Sequence, residues 1–151
     1  MSLSSHQTTN LLLAACCGML LLTGCATSDS DGFAIYLTRD NIPPAQMEAL
    51  SHVEVADHPI IAMDDVVAYD AVTHEMELTR EAFDRLVELQ VPVSGTSFVV
   101  CVDGEPVYWG AFWTLLSSLA FDGVTIWQPL GSEHPTSVRL ELGYPSAEVL
   151  A

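Results

Sequence analysis

The side chains of this sequence best suited to chemistry are histidines and carboxylates between positions 52 and 74. Imidazole and carboxylate groups are common ligands of divalent metal ions in proteins. Their spacing here matches no common metal motif, and a histidine before proline in a loop is also typical of a solvated surface. The candidate ligands are His52, His58, Asp64 and His74, with Glu54, Asp57 and Asp65 beside them.

Asp64 and Asp65 are also candidates for acid–base chemistry, because neighbouring carboxylates shift each other's pKa values. Successive strand residues point to opposite faces, however, which argues against a shared site. Residues 94–97 are short and contain a glycine, but they lack both a nucleophile elbow and a Walker lysine. We therefore assign no catalytic residue and predict no cofactor.

Three aromatic residues, Tyr108, Trp109 and Trp113, are candidates for binding rather than catalysis. Most aromatic residues of this chain are needed for the core, because it has few other large side chains. Tyr108 and Trp109 are consecutive on a predicted strand, so one of them is expected to face outward. An outward ring beside Trp113 would form a platform for a peptide or a small ligand.

Cys101 lies inside the apolar run 98–102. A free cysteine in such a run behaves mostly as a small hydrophobic residue. No basic residue lies near it in the sequence to lower its pKa. We predict a buried, structural thiol.

The charge balance excludes several classes of partner. The chain has 20 acidic residues against four arginines and no lysine, for a formal net charge of −16 at pH 7. Binding to nucleic acid requires Lys and Arg to neutralise phosphates. Docking on anionic lipid headgroups also requires these basic residues. The acidic surface is either a solvated one, screened by salt, or a patch for a cationic partner.

The best-marked helix is predicted over residues 80–90. Thr79 is a suitable N-cap, and Leu78 can pack against Phe83 as a hydrophobic staple. At four-residue spacing, Arg80 is expected to pair with Asp84, and Glu81 with Arg85.

Turn signals predict two strand pairs. The dipeptide Asp103-Gly104 accepts the positive φ angles of a type I′ turn, so residues 98–102 and 105–109 are expected to form a hairpin. Residues 66–70 and 75–79 are expected to pair across the turn 71–74. The period of residues 111–121 does not decide between strand and helix. With a first strand over 33–38 and a short helix over 45–50, this order predicts an α+β domain, a mainly antiparallel sheet with helices packed on one face.

The start of the chain resembles a bacterial lipoprotein signal. Residues 11–22 form an apolar run of 12 that leads into Leu22-Thr23-Gly24-Cys25. In that family the cysteine is acylated with fatty acids such as palmitate, and the chain is cut just before it. Twelve residues are too few to span a bilayer, since a helix needs about 20. The first ten residues lack Lys and Arg, and an ordinary signal peptide that happens to expose a cysteine stays an alternative.

The lipoprotein resemblance implies how the chain is divided. Residues 1–24 would be a signal peptide, 25–32 a lipidated cysteine with a flexible tether, and 33–151 one domain with Cys101 as its only cysteine and therefore no disulfide framework. The acyl chains would hold the protein on a membrane of the cell envelope, outside the cytoplasm. Ala26 is not Asp, which in this family favours the outer membrane where a cell has one.

A second resemblance concerns the domain itself. The stretches MDDVVAY (63–69), ELTREAFDRL (77–86) and FVVCVDGEPVY (98–108) are similar to the head of the periplasmic first domain of SecD-type export proteins. The similarity covers about residues 60–128. It implies a module that contacts translocating or unfolded polypeptide.

Two functions stay open on the sequence. The first is a lipid-anchored envelope protein whose domain has a non-catalytic binding or structural role, contacting a peptide, an envelope protein or a small ligand. The second is a metal-binding protein or envelope enzyme that uses the His and Asp residues between His52 and His74. Convergence of those side chains on one pocket would favour the second function.

Overall fold

The computed structural model describes residues 32–131 and 136–145, which form eight strands, one α-helix and three short 3-10 helices. The strands are β1 (Phe33–Leu37), β2 (Ile61–Ala62), β3 (Val66–Asp70), β4 (Glu75–Leu78), β5 (Thr96–Val102), β6 (Glu105–Trp113), β7 (Phe121–Trp127) and β8 (Ser137–Tyr144). The α-helix is α1 (Arg80–Glu88), and the 3-10 helices are Pro44–Gln46, Leu50–His52 and Met63–Asp65. No helix in these two ranges is long and apolar enough to cross a membrane. The predicted signal peptide and Cys25 lie outside the described residues.

All eight strands belong to one sheet, in the order β2-β1-β5-β6-β7-β8-β4-β3. Neighbouring strands are antiparallel except β6 and β7, which are parallel. The sheet curls into a half-barrel. Its two edge strands, β2 and β3, follow each other in the chain and are joined only by the 3-10 helix Met63–Asp65.

The predicted α+β class, with helices packed on one face of the sheet, is wrong. The described residues are mostly sheet and contain a single α-helix. Residues 45–50 contribute only ends of 3-10 helices, and residues 111–121 finish β6, cross over as a loop and begin β7. Because a curled sheet packs its own concave face, it needs no helical layer to form a core.

Several local predictions are confirmed. Asp103 and Gly104 have φ angles of 50° and 80°, and they join β5 to β6. The hairpin of β3 and β4 also forms. At the start of α1, the Thr79 side chain accepts a hydrogen bond from the backbone N–H of Ala82 at 3.3 Å. These features depend on residues close in sequence, so the local sequence pattern predicts them.

The main core lies on the concave side of the sheet. The buried side chains of α1, which are Ala82, Phe83 and Leu86, pack into it. The side-chain amide of Gln128, just after β7, donates hydrogen bonds to the carbonyl oxygens of Val87 and Leu89. These bonds satisfy carbonyls that a helix end leaves unpaired. They fix α1 across the end of the half-barrel where β7 finishes.

A smaller core covers the convex side. Ala34, Tyr36, Val99 and Cys101 are buried there, beneath apolar side chains of residues 47–55. Cys101 is a free and buried thiol, as predicted. Burial raises its pKa, and the charge of Glu105 raises it further. A thiol that stays protonated is a poor nucleophile.

The junction of the two sheet edges is held by Asp65. Its carboxylate accepts hydrogen bonds from the backbone N–H of Ala62 at 2.8 Å and from Nη2 of Arg85 at 2.5 Å. Arg85 also donates through Nε to the carbonyl of Ile60 at 3.3 Å, and the backbone N–H of Thr79 donates to the carbonyl of Asp65 at 2.8 Å. The predicted pair of Arg80 with Asp84 is present at 3.6 Å, whereas Arg85 bonds to Asp65 and not to Glu81.

Replacing Arg85 therefore tests what holds the two edges of the sheet together. We expect Arg85→Ala to lower the free energy of unfolding by about 1 to 2 kcal/mol, because it removes two hydrogen bonds and leaves the half-buried Asp65 carboxylate without its cation. Arg80→Ala, on the same helix, is the matched control and should cost less than about 1 kcal/mol. Urea denaturation followed by circular dichroism measures both. Equal losses of unfolding free energy for the two variants would contradict a role for Arg85 in holding the sheet edges together.

Candidate functional site

The structure does not bring the predicted metal ligands together. Among residues 32–131 and 136–145, no three His, Cys, Asp or Glu side chains are placed to hold a metal ion. His52, His58 and Asp64 are exposed at separate positions. His74 accepts or donates through Nδ1 to the hydroxyl of Tyr69 at 3.0 Å.

The carboxylates near those histidines have structural partners instead. Glu54 and Asp57 pair with Arg39 at 2.9 and 3.2 Å. The remaining arginines of the chain are also paired: Arg80 with Asp84, Arg85 with Asp65 and Arg139 with Glu75. Every cationic side chain apart from the histidines thus has a carboxylate partner. No arginine is left over to bind a phosphate group.

The three aromatic candidates lie in different surroundings. Trp113 is only 2% exposed and stacks on Phe121, with ring centroids 5.4 Å apart and planes 9° from parallel. Trp109 lies on the same face of β6 and packs against Phe121 at 5.6 Å. Tyr108 is on the opposite face and is 37% exposed. The predicted platform of Tyr108 with Trp113 is therefore not assembled, and Tyr108 instead lines a cavity.

That cavity has a volume of about 380 Å³ and an almost wholly apolar wall. It is lined by Phe33, Met63, Val66, Tyr69, Met76, Tyr108 and Leu140. Larger depressions of about 660 Å³ beside Phe121 and about 550 Å³ beside Asn41 are shallower and more polar. We select the smaller cavity as the candidate site because it is the most enclosed and because side chains from β1, β3, β4, β6 and β8 converge on it.

The fold explains why a cavity remains at this place. No residue of α1 lines it. Its wall comes from the first residue of β1 and from Tyr108 in the first half of β6, away from the strand ends that α1 covers. The concave side of the sheet is therefore filled by α1 at one end and left open at the other.

Gly110 fixes the wall next to Tyr108. A Cβ atom at position 110 would collide with the ring of Phe98 and the carbonyl oxygen of Val124. Only glycine allows β6 to approach β7 this closely. Phe98 then packs on Phe112 in the main core, with ring centroids 5.1 Å apart.

Two phenol hydroxyl groups supply polarity at the cavity. The turn after Tyr69 is fixed by Asp70, whose carboxylate accepts hydrogen bonds from the N–H groups of Val72 and Thr73, and these bonds lower the pKa of Asp70. The turn presents His74 to the Tyr69 hydroxyl. Burial raises the pKa of Tyr108, and Tyr69 raises it further. A few hydroxyl groups in an apolar wall are suited to binding and orienting a ligand.

Sequence reasoning identified one lining residue, Tyr108, and missed the other six. Each of the six looks like an ordinary core residue in its own segment. Only the alternation of Tyr108 with Trp109 indicated that one of them would face a different environment.

Comparison of the chain with protein-family models, with curated proteins and with solved structures finds no significant match. The resemblances to a lipoprotein signal and to the SecD-type head therefore stay predictions. The case for the site depends on its geometry.

Tyrosine titration tests the surroundings of Tyr108. We expect it to ionise above the usual pKa of about 10, because the phenolate would lose solvation in the cavity. Tyr69→Phe should lower this pKa, and Tyr108→Phe should remove the late step from the phenolate absorbance. In the unfolded chain, Tyr108 loses its proton at a lower pH than in the folded protein. The free energy of unfolding should therefore fall as the pH rises above about 10. A single titration step shared by all tyrosines would contradict this assignment.

Proposed function

We propose that this chain is a lipid-anchored cell-envelope protein whose domain binds a ligand without catalysis. The observation that carries the proposal is the 380 Å³ cavity at the open end of the half-barrel. It is concave, apolar and largely preformed, and it has a few polar groups at one side, which are the properties of ligand sites in general. The apolar side chain of a peptide and the acyl chain of a lipid both meet its requirements.

The absence of catalytic groups at the cavity supports binding over chemistry. Its wall includes no histidine, cysteine or carboxylate side chain. Cys101 is on the opposite face of the sheet. The alternative of a metal protein or an enzyme built on His52 to His74 has no assembled site among the described residues, and we do not pursue it.

Charge leaves covalent lipid as the means by which this protein could be attached to a membrane. With a net charge of −16 and each arginine paired, the protein has no basic surface to hold it on an anionic membrane. Stable attachment would then require covalent lipid. Each buried methylene contributes about 0.8 kcal/mol, so two or three acyl chains at Cys25 make a firm anchor. The proposed location is the extracytoplasmic side, on the outer membrane where a cell has one.

Lipidation is tested by the variant Cys25→Ser. We expect the wild-type protein to fractionate with membranes and to begin at an acylated Cys25 by mass spectrometry. Cys25→Ser should lose the acyl mass and keep residues 1–24, whereas the control Cys17→Ser should behave as wild type. Recovery of an unmodified chain starting at Met1 from the soluble cytosol would rule out the anchor.

The cavity is tested with an uncharged fluorescent probe, N-phenyl-1-naphthylamine. The protein is the full chain carrying Cys25→Ser, in buffer without detergent. Tyr108→Glu should weaken probe binding at least tenfold. Binding of the apolar probe would remove water from the new carboxylate, which costs free energy. Val107→Glu is the matched control, since it adds the same charge to the neighbouring residue of the same strand, which is exposed and does not line the cavity. Equal binding by both variants, with unchanged circular dichroism, would place the ligand elsewhere.

A further inference from the structure

The chain enters the domain beside the cavity. The N–H of Gly32 donates to Oδ1 of Asp103 at 2.8 Å, and the N–H of Asp103 donates to the carbonyl of Gly32 at 2.9 Å. A Cβ atom on Gly32 would lie 3.7 Å from Cγ of Met63, and the next residue is Phe33; both residues line the cavity. The entry point is thus fixed at the cavity's rim.

This entry point limits the distance to the proposed anchor. Cys25 and Gly32 are seven residues apart in the sequence. A chain of that length spans at most about 25 Å. A protein held by lipid at Cys25 therefore keeps the rim of the cavity within about 25 Å of its attachment point in the bilayer.

The volume of the cavity suits one hydrocarbon chain. An engineered apolar protein cavity of about 150 Å³ holds benzene, which has six carbons. On that scale, the 380 Å³ here accommodate about 15 carbons. That is the size of one acyl chain and too little for two.

The charges around the rim restrict the headgroup. Asp64 follows Met63 in the chain, and Asp103 is hydrogen-bonded to Gly32 beside Phe33; both carboxylates are exposed. All four arginines of the chain are paired with carboxylates, among them Arg85 with Asp65 and Arg139 with Glu75. An anionic headgroup would meet repulsion here, whereas a zwitterionic or uncharged one can accept a hydrogen bond from the Tyr108 phenol.

From these observations, and resting on the proposed function, we propose that the cavity binds a single acyl chain of a membrane lipid with a zwitterionic or uncharged headgroup. The acyl chain lies against Phe33, Met76 and Leu140. The headgroup stays at the rim beside Tyr69 and Tyr108. The short tether holds this opening close to the membrane from which the lipid comes.

The test is displacement of N-phenyl-1-naphthylamine from the full chain carrying Cys25→Ser by monoacyl phosphocholines of 8 to 18 carbons, each below its critical micelle concentration. We expect the affinity to rise about fourfold for each added methylene, because each one buries further apolar surface, and to level off near about 15 carbons. Monoacyl phosphatidylglycerol of the same chain length should bind several-fold more weakly. Tyr108→Glu should abolish displaceable binding, and Val107→Glu should retain it. Met63→Glu, at a residue 55% exposed, is a second blocking variant in case Tyr108→Glu fails to fold.

The outcomes separate this inference from the proposed function. If the probe binds the cavity but an apolar peptide such as Leu-Leu-Leu displaces it and the lipids do not, the cavity is a peptide site and the lipid proposal is wrong. An affinity that does not depend on acyl length also overturns it. Equal affinity for the anionic lipid overturns the headgroup assignment. If no probe binding is sensitive to Tyr108→Glu, the proposed binding function fails as well.

Discussion

The interaction between Asp65 and Arg85 holds the parts of this domain in one arrangement. A curled sheet that does not close has two edges with unpaired backbone groups, and such edges invite pairing with other chains. Here both edge strands belong to one continuous segment, and Asp65 lies between them. Its carboxylate joins the end of β2 to α1, and its carbonyl accepts from the residue that caps α1. Since Met63 and Val66 lie within two residues of Asp65 and line the cavity, the contacts that join the two sheet edges also set the shape of the site.

A single short helix explains why the interior is only partly filled. At 1.5 Å per residue, the nine residues of α1 are about 13 Å long, which covers one end of the concave face and not the other. On the convex side, aromatic rings pack densely. Trp113 stacks on Phe121, and the ring centroids of Trp127 and Tyr144 are 5.1 Å apart. The indole N–H of Trp127 also donates a hydrogen bond to the carboxylate of Glu141 at 2.9 Å. Protein interiors are usually close-packed, so apolar walls without packing partners lose dispersion contacts. The unfilled end of the concave side therefore favours binding of an apolar group that restores those contacts.

The sequence predicted the local features that neighbouring residues determine. It did not predict the features that depend on contacts between residues distant in the chain. The turn at Asp103 and Gly104, the cap at Thr79 and the hairpin of β3 with β4 all follow from local chemistry. The curl does not, because it depends on β8 pairing with both β7 and β4 and on β2 continuing into β3. The sequence placed Trp113 in a binding platform, whereas it is buried against Phe121, and it assigned Met76 and Leu140 no role in binding. Alternation along β6 separated Tyr108 from Trp109, but no pattern in the chain showed which face would stay open.

The position of β8 has a consequence for how the protein is made. It comes after every other described strand in the chain, yet it lies between β7 and β4 in the sheet. Until β8 is present, the β3–β4 hairpin has no neighbour on its β4 side, and an isolated hairpin is at best marginally stable in water. The complete half-barrel therefore forms only after β8 has been synthesised. If the chain is exported, as we propose, this delay would favour its passage through a translocation pore before the sheet is complete.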